Sequence, residues 1–378
     1  MSRPTLALAL LLLLLSMAAG AAELHNPVVV LPATMKPPTI DGEIKEDEWA
    51  GATRQVGFVA LKTKRLSDRD GVFWLGSDDR EIFVAIQTEM PPQGGLMTRV
   101  VPKGNVDVQA WRDDSIELWL DPSRPQNPPG GSEPPGGSKR ILYQIIANAR
   151  GALYDVAHDR TKGMSQTSWR VSWRFANKII DGWWHVELAI PLSSFGVEGK
   201  LVGTEWGIRI GRNWKQPWEQ ACWSPKAIAY SDPETMPVVR WAEAAPVVQM
   251  LAVGDRERTK AALATRIANP TGQPLTVKVA VRNQHADSPA NERAETVELA
   301  PGQAKTVRLD GTTYATGQNL ASISVTSPDG KATWFLRDFG WSLERPETRW
   351  RVALHEREAI DLAFGYYPYH NKLKARLD

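Results

Sequence analysis

Around residue 118 every second residue is apolar. Ile116, Leu118 and Leu120 would point to one face of a strand, and Ser115, Glu117, Trp119 and Asp121 to the other. This period of two recurs along the chain while long helical periodicity is missing, which confines the fold to the all-β class. Residues 73–75 and 82–87 flank the turn-forming Ser77-Asp78-Asp79-Arg80 and read as a hairpin. Residues 114–120 and 142–148 would form the next pair. Between them, 122–140 is too rich in proline and glycine to pack and is expected to be a mobile insertion. Further strands are expected at 171–175, 184–190 and 206–212, with a short turn at 192–195. Strands spaced this regularly, with no helices between them, predict an antiparallel β-sandwich.

The style of the chain changes near Ala242-Glu243-Ala244-Ala245-Pro246. Beyond it tryptophans become scarce, and 275–281, 296–299, 305–309 and 321–326 alternate cleanly between turns at Asn269-Pro270-Thr271-Gly272, Ala300-Pro301-Gly302-Gln303 and Pro328-Asp329-Gly330. A second, immunoglobulin-like β-sandwich is expected over 246–341, serving as a spacer. In the last stretch, 342–378, Leu373, Ala375 and Leu377 alternate with Lys372, Lys374 and Arg376. That pattern predicts a terminal strand which pairs back on the second sandwich or begins a further domain.

Arg3, an apolar run over 6–15 and Ala19-Gly20-Ala21 make residues 1–22 a signal peptide, so the protein is expected to be secreted, extracellular or periplasmic. No stretch reaches the roughly 20 apolar residues of a spanning helix. Cys222 is the only cysteine, which excludes an internal disulfide and leaves stability to the cores. A formal charge of +2 gives no reason to expect a nucleic-acid partner. Sixteen tryptophans against seven tyrosines and eight phenylalanines favour aromatic ligand platforms, since an exposed indole is costly unless its face is used. Most of them, including Trp49, Trp74, Trp184, Trp206 and Trp223, are nevertheless expected in the core.

The stretch Trp111-Arg112-Asp113-Asp114-Ser115-Ile116-Glu117-Leu118-Trp119-Leu120-Asp121, the upstream Pro38-Thr39-Ile40-Asp41-Gly42-Glu43 and Asp47-Glu48-Trp49, and the strand Trp184 to Ile190 ending in Pro191 together resemble family 9 carbohydrate-binding modules, which are DOMON-like β-sandwiches. The resemblance covers residues 28–241. It implies a terminal sugar held between two aromatic rings, here Trp111 and Tyr230, roughly 7 to 9 Å apart if each makes van der Waals contact with the sugar. It also implies a carboxylate, Glu117, accepting sugar hydroxyls, with Gln144 and Asn148 on the next strand. Tyr230 stands where a tryptophan is usual, and Ile146 where a sugar-binding member has arginine. Loss of that charged hydrogen bond predicts weakened affinity.

The implied function is non-catalytic binding of an oligosaccharide or polysaccharide, with a separate glycoside hydrolase as a partner. Structural calcium is a further implication, and Asp41, Glu43, Asp78, Asp79 and Asp113 lie in loops that suit it without forming an EF-hand spacing. No G-x-S-x-G elbow occurs, and Cys222 is expected to be buried, so catalysis by this chain is not expected. Two alternatives stay open: a structural adaptor that binds no sugar, and a haem-binding DOMON electron-transfer module using residues among Met90, Met97, Met164, His158 and His185.

Overall fold

A computed structural model describes residues 24–67, 69–91, 95–103, 108–122, 124, 140–255, 260–285, 290–313 and 317–343. The expected signal peptide, most of the 122–140 insertion and nearly all of 342–378 lie outside the described residues. In chain order the strands are β1 (Val28–Pro32), β2 (Thr53–Val56), β3 (Val59–Ala60), β4 (Gly71–Ser77), β5 (Glu81–Glu89), β6 (Ser115–Asp121), β7 (Ile141–Asn148), β8 (Leu153–Asp159), β9 (Met164–Gln166), β10 (Arg174–Ile180), β11 (Trp183–Pro191), β12 (Glu205–Lys215), β13 (Trp218–Cys222) and β14 (Val238–Ala242). Beyond the change in style come β15 (Val247–Asp255), β16 (Lys260–Ala268), β17 (Leu275–His285), β18 (Asn291–Leu299), β19 (Ala304–Thr313), β20 (Gly317–Thr326) and β21 (Thr333–Leu343). The described residues hold no α-helix, only two 3-10 turns at Ala110–Arg112 and Leu192–Phe195. No helix among them is long and apolar enough to cross a membrane.

Two mostly antiparallel sheets result. One runs β18-β17-β20-β21-β1-β14-β12-β6-β7-β8-β9, with β13 on β12 and β3 on β13, and the other runs β10-β11-β5-β4-β2-β15-β16-β19. Both therefore pass without a break from strands before residue 242 to strands after it. The joints are β1 against β21 in one sheet and β2 beside β15 in the other. Side chains tie the same seam: Thr53 Oγ1 donates to the Val248 carbonyl at 2.7 Å, and Gln249 Nε2 to the carbonyls of Trp49 and Ala52 at 3.2 and 3.0 Å. The guanidinium of Arg337, fully buried on β21, donates to Gln55 Oε1 at 3.0 Å and to the Gly57 carbonyl.

The core follows the alternation. Ile116, Leu118 and Leu120 are inaccessible, as are Trp184, Val186, Leu188 and Ile190 on β11, apart from a trace at Trp184. Trp49, Trp74, Trp206, Trp223 and Cys222 are buried too, as expected. One strand begins later than the sequence suggested. Residues 171–173 precede β10, and Val171 N instead donates to Asp155 Oδ2 at 2.5 Å, which holds the segment off the sheet.

The upstream motif serves the fold. Glu187, wholly buried on β11, accepts from Asp41 N at 3.1 Å, Gly42 N at 2.8 Å and Trp49 Nε1 at 2.9 Å. Gly42 takes φ of +84°, and a Cβ there would stand 2.8 Å from the Asn177 carbonyl carbon. Only glycine lets this loop lie against the sheet.

Candidate functional site

On the outer face of the first sheet, opposite Ile116 and Leu118, polar side chains from six neighbouring strands form one chain of hydrogen bonds. Gln220 Nε2 on β13 donates to Asn213 Oδ1 at 3.0 Å, and Asn213 Nδ2 on β12 donates to Glu117 Oε2 at 2.8 Å. The other oxygen, Glu117 Oε1, accepts from Trp119 Nε1 at 2.7 Å and from Gln144 Nε2 on β7 at 2.9 Å. Gln144 Oε1 lies 3.1 Å from His158 Nε2 on β8, and His158 Nδ1 lies 2.9 Å from Ser165 Oγ on β9. Because the Gln144 amide group faces the carboxylate, its oxygen faces the ring, so His158 Nε2 carries the proton and Nδ1 accepts from Ser165. The His158 ring stacks on the Trp119 indole at 5.1 Å and 16°.

Glu117 sits at the centre of this chain and is nearly inaccessible. Burial raises its pKa above the ordinary 4.5, against the lowering effect of its three donors. Burial also lowers the pKa of His158, assisted by Arg160. The carboxylate thus organises the sheet face from beneath the surface.

Tyr230 covers the β12–β13 side of the same face. Its hydroxyl shares its one proton between the carbonyls of Arg212 at 2.7 Å and Ala221 at 3.0 Å, and burial raises its pKa well above the usual 10. Its ring lies over Gly211, where a Cβ would stand 2.6 Å from Tyr230 Cε1. Arg209 fixes the loop that carries it, donating to the Ala229 carbonyl at 2.6 Å, the Tyr230 carbonyl and Thr235 Oγ1 at 2.8 Å.

Beside Tyr230 the surface opens into a depression of about 360 Å³. Buried Trp119 and Tyr230 and half-buried Gln220 form its inner lining, while Lys62, Trp218 and Ile228 stand at its rim. Trp218 is 58% exposed and Ile228 74%.

The residues singled out from the sequence divide into two groups. Glu117 and Gln144 are bonded to each other, and Tyr230 lies one strand away over Gly211, the cross-strand partner of Glu117. Trp111 and Asn148 belong elsewhere. Trp111, 39% exposed, meets the Tyr154 ring edge-on at 4.4 Å, and the row Tyr154–Ile146–Glu117–Gly211 spans three strand spacings, about 14 Å. Tyr230, at 6% exposure and with its hydroxyl turned onto backbone, presents no free face towards that indole. The expected two-ring clamp of Trp111 and Tyr230 is corrected accordingly. Asn148 is buried and donates to the Val100 carbonyl and Asp113 Oδ2, both at 2.8 Å. Ile146 is covered by Ala110 and Ala152, so the position the resemblance gives to arginine is sealed under the turn that carries Trp111. Trp218, which sequence reasoning passed over, follows Gln216-Pro217 and has only its place at the start of a short alternating segment as a signal.

In the loops considered for calcium, carboxylate oxygens accept from the protein's own donors. Asp41 accepts from Glu43 N, Asp78 from Arg80 N and Glu81 N, and Asp79 from Leu201 N. Glu43 faces Lys178 Nζ at 3.7 Å. Asp113 Oδ2 takes Val100 N, and its buried Oδ1 has no partner among the described residues. The described residues contain no group of three His, Cys, Asp or Glu side chains that could hold a metal ion. Of the residues considered for haem, His158 has both ring nitrogens engaged and Met164 is exposed.

No protein-family profile matches this chain, and no curated protein does. Among solved structures it is similar to a candidate carbohydrate-binding protein from Bacteroides uniformis, at 16% identity over 57% of this chain and 98% of that one, with a TM-score of 0.42. It also overlaps β-glucuronidase 2 of the same organism, at 9% identity over 76% of this chain and 28% of the enzyme, with a TM-score of 0.20. A β-glucosidase from Kluyveromyces marxianus gives 10% identity, 86% and 53% coverage, and a TM-score of 0.21.

Proposed function

We propose that this chain is a non-catalytic carbohydrate-binding protein whose ligand lies in the depression beside Tyr230, stacked on Trp218. A single observation carries the proposal: an indole 58% exposed stands at the rim of a depression whose inner lining includes a second indole. A sugar ring offers apolar C–H faces to such a surface and hydroxyls to the amide and hydroxyl groups of Gln220 and Ser231, which also line it. Export through the expected signal peptide would bring the site to extracellular or periplasmic glycans, with a separate glycoside hydrolase as the partner that benefits.

Calorimetric titration of the full chain with neutral and acidic oligosaccharides tests this. Trp218→Ala should weaken binding by about tenfold, the worth of roughly 1.4 kcal/mol of aromatic contact, with an unchanged far-UV spectrum. Trp111→Ala should leave binding as it is. Reversal of those two results would move the ligand to the Trp111 end of the face. No heat with any oligomer would leave the adaptor alternative.

A further inference from the structure

Beyond Gln220 and Ser231, the side chains lining the depression offer a neutral sugar few acceptors. Sugar hydroxyls are met by carboxylates, which accept from two at once, yet no carboxylate lines this depression. Glu117 lies beneath Trp119 with three donors already on it. Two of the wall carbonyls, those of Ala229 and Tyr230, already accept from Arg209. The one charged side chain in the lining is Lys62, exposed and without an ion pair among the described residues.

The charges around this wall have an uneven sign. Lys62, Lys64 and Arg209 face two carboxylates, Glu117 behind Trp119 and Asp232, and Asp232 already accepts from Thr235 Oγ1 at 2.8 Å and from Glu234 N at 3.1 Å. Arg209 is buried with carbonyl and hydroxyl acceptors and no carboxylate hydrogen-bonded to it, Asp232 acting on it only through space. A ligand bearing its own acceptor charge would complete the set.

Resting on the reading that the depression takes a saccharide, we infer that its ligand class is anionic: a glycan bearing a carboxylate or sulfate ester, with the acidic group on Lys62 and a ring face on Trp218. Uronates and sulfated sugars share this chemistry. Calorimetry on the full chain with an oligogalacturonate, a sulfated galactan oligomer and a cello-oligosaccharide of matched length separates them. One or both anionic oligomers should bind about tenfold more tightly than the neutral one and lose affinity as salt rises. Lys62→Gln should abolish that preference, bringing the anionic oligomers down to the affinity of the neutral one. Equal affinity for neutral and anionic oligomers, or an unchanged preference in Lys62→Gln, would overturn the inference while leaving sugar binding intact. A Trp218→Ala protein that binds every oligomer like the wild type would instead overturn the placement of the site. Failure of all three oligomers to bind would remove both.

Discussion

Replacing Glu117 separates the two forces that act on it. In Glu117→Ala, the donors of Trp119, Gln144 and Asn213 lose their acceptor together. At about 1 kcal/mol for each buried donor left unsatisfied, the loss is about 3 kcal/mol. Glu117→Gln keeps the oxygen that serves Trp119 and Gln144 but turns an amide N–H towards Asn213. Asn213 cannot rotate to suit it, because its own oxygen is held by Gln220 at 3.0 Å. One mispaired contact, about 1 to 2 kcal/mol, is expected at low pH. The pH dependence is the sharper test. Burial raises the Glu117 pKa above 4.5, so the folded state keeps its proton to higher pH than the unfolded chain does. Stability that is full below about 4.5 is then lost as pH rises through the folded value, with a slope of at most about 1.4 kcal/mol per pH unit for one proton. Urea unfolding of wild type and Glu117→Gln between about pH 4 and 8 should show the wild type losing its advantage as pH rises. A difference that stays constant, or moves the other way, would refute a buried carboxylate at the centre of this face.

Three other substitutions probe the supports of the site. Gly211→Ala drives a Cβ into the Tyr230 ring and should cost about 1 to 3 kcal/mol by thermal melting, with weaker oligosaccharide binding as the loop shifts. Glu187→Ala strands three donors and should cost about 3 kcal/mol, with faster hydrogen exchange at Asp41 and Gly42. Arg337→Ala leaves Gln55 and the Gly57 carbonyl without their donor and opens a cavity, for a loss of at least about 3 kcal/mol. Arg337→Met, which retains the stem, should lose less by chemical denaturation, and equal losses would show that stem packing contributes little.

Local pattern carried the strands well. The β4–β5 hairpin falls around Ser77 to Arg80, and β6 pairs with β7 across the proline-rich insertion, because period two and turn chemistry are properties of neighbouring residues. The placement of Glu117 and Gln144 on one face followed from the same alternation. Partners distant in sequence were not legible. Nothing in Val28–Pro32 announces that it lies between β14 and β21. Nor does the sequence of Tyr230 tell that Gly211 leaves room for its ring while two carbonyls take its hydroxyl. Trp111 and Trp218 look alike as isolated indoles beside short strands. What distinguishes them is tertiary: one is met by Tyr154, the other stands open beside a depression.

Because both sheets cross the boundary near residue 242, the first half is not a portable cassette. Excising it would bare the edges of β1 and β2 at once, two unpaired ladders that invite association between copies. A fusion built from this protein would have to keep both halves, and grafting the first half alone onto an unrelated protein should yield aggregates in place of a working fusion.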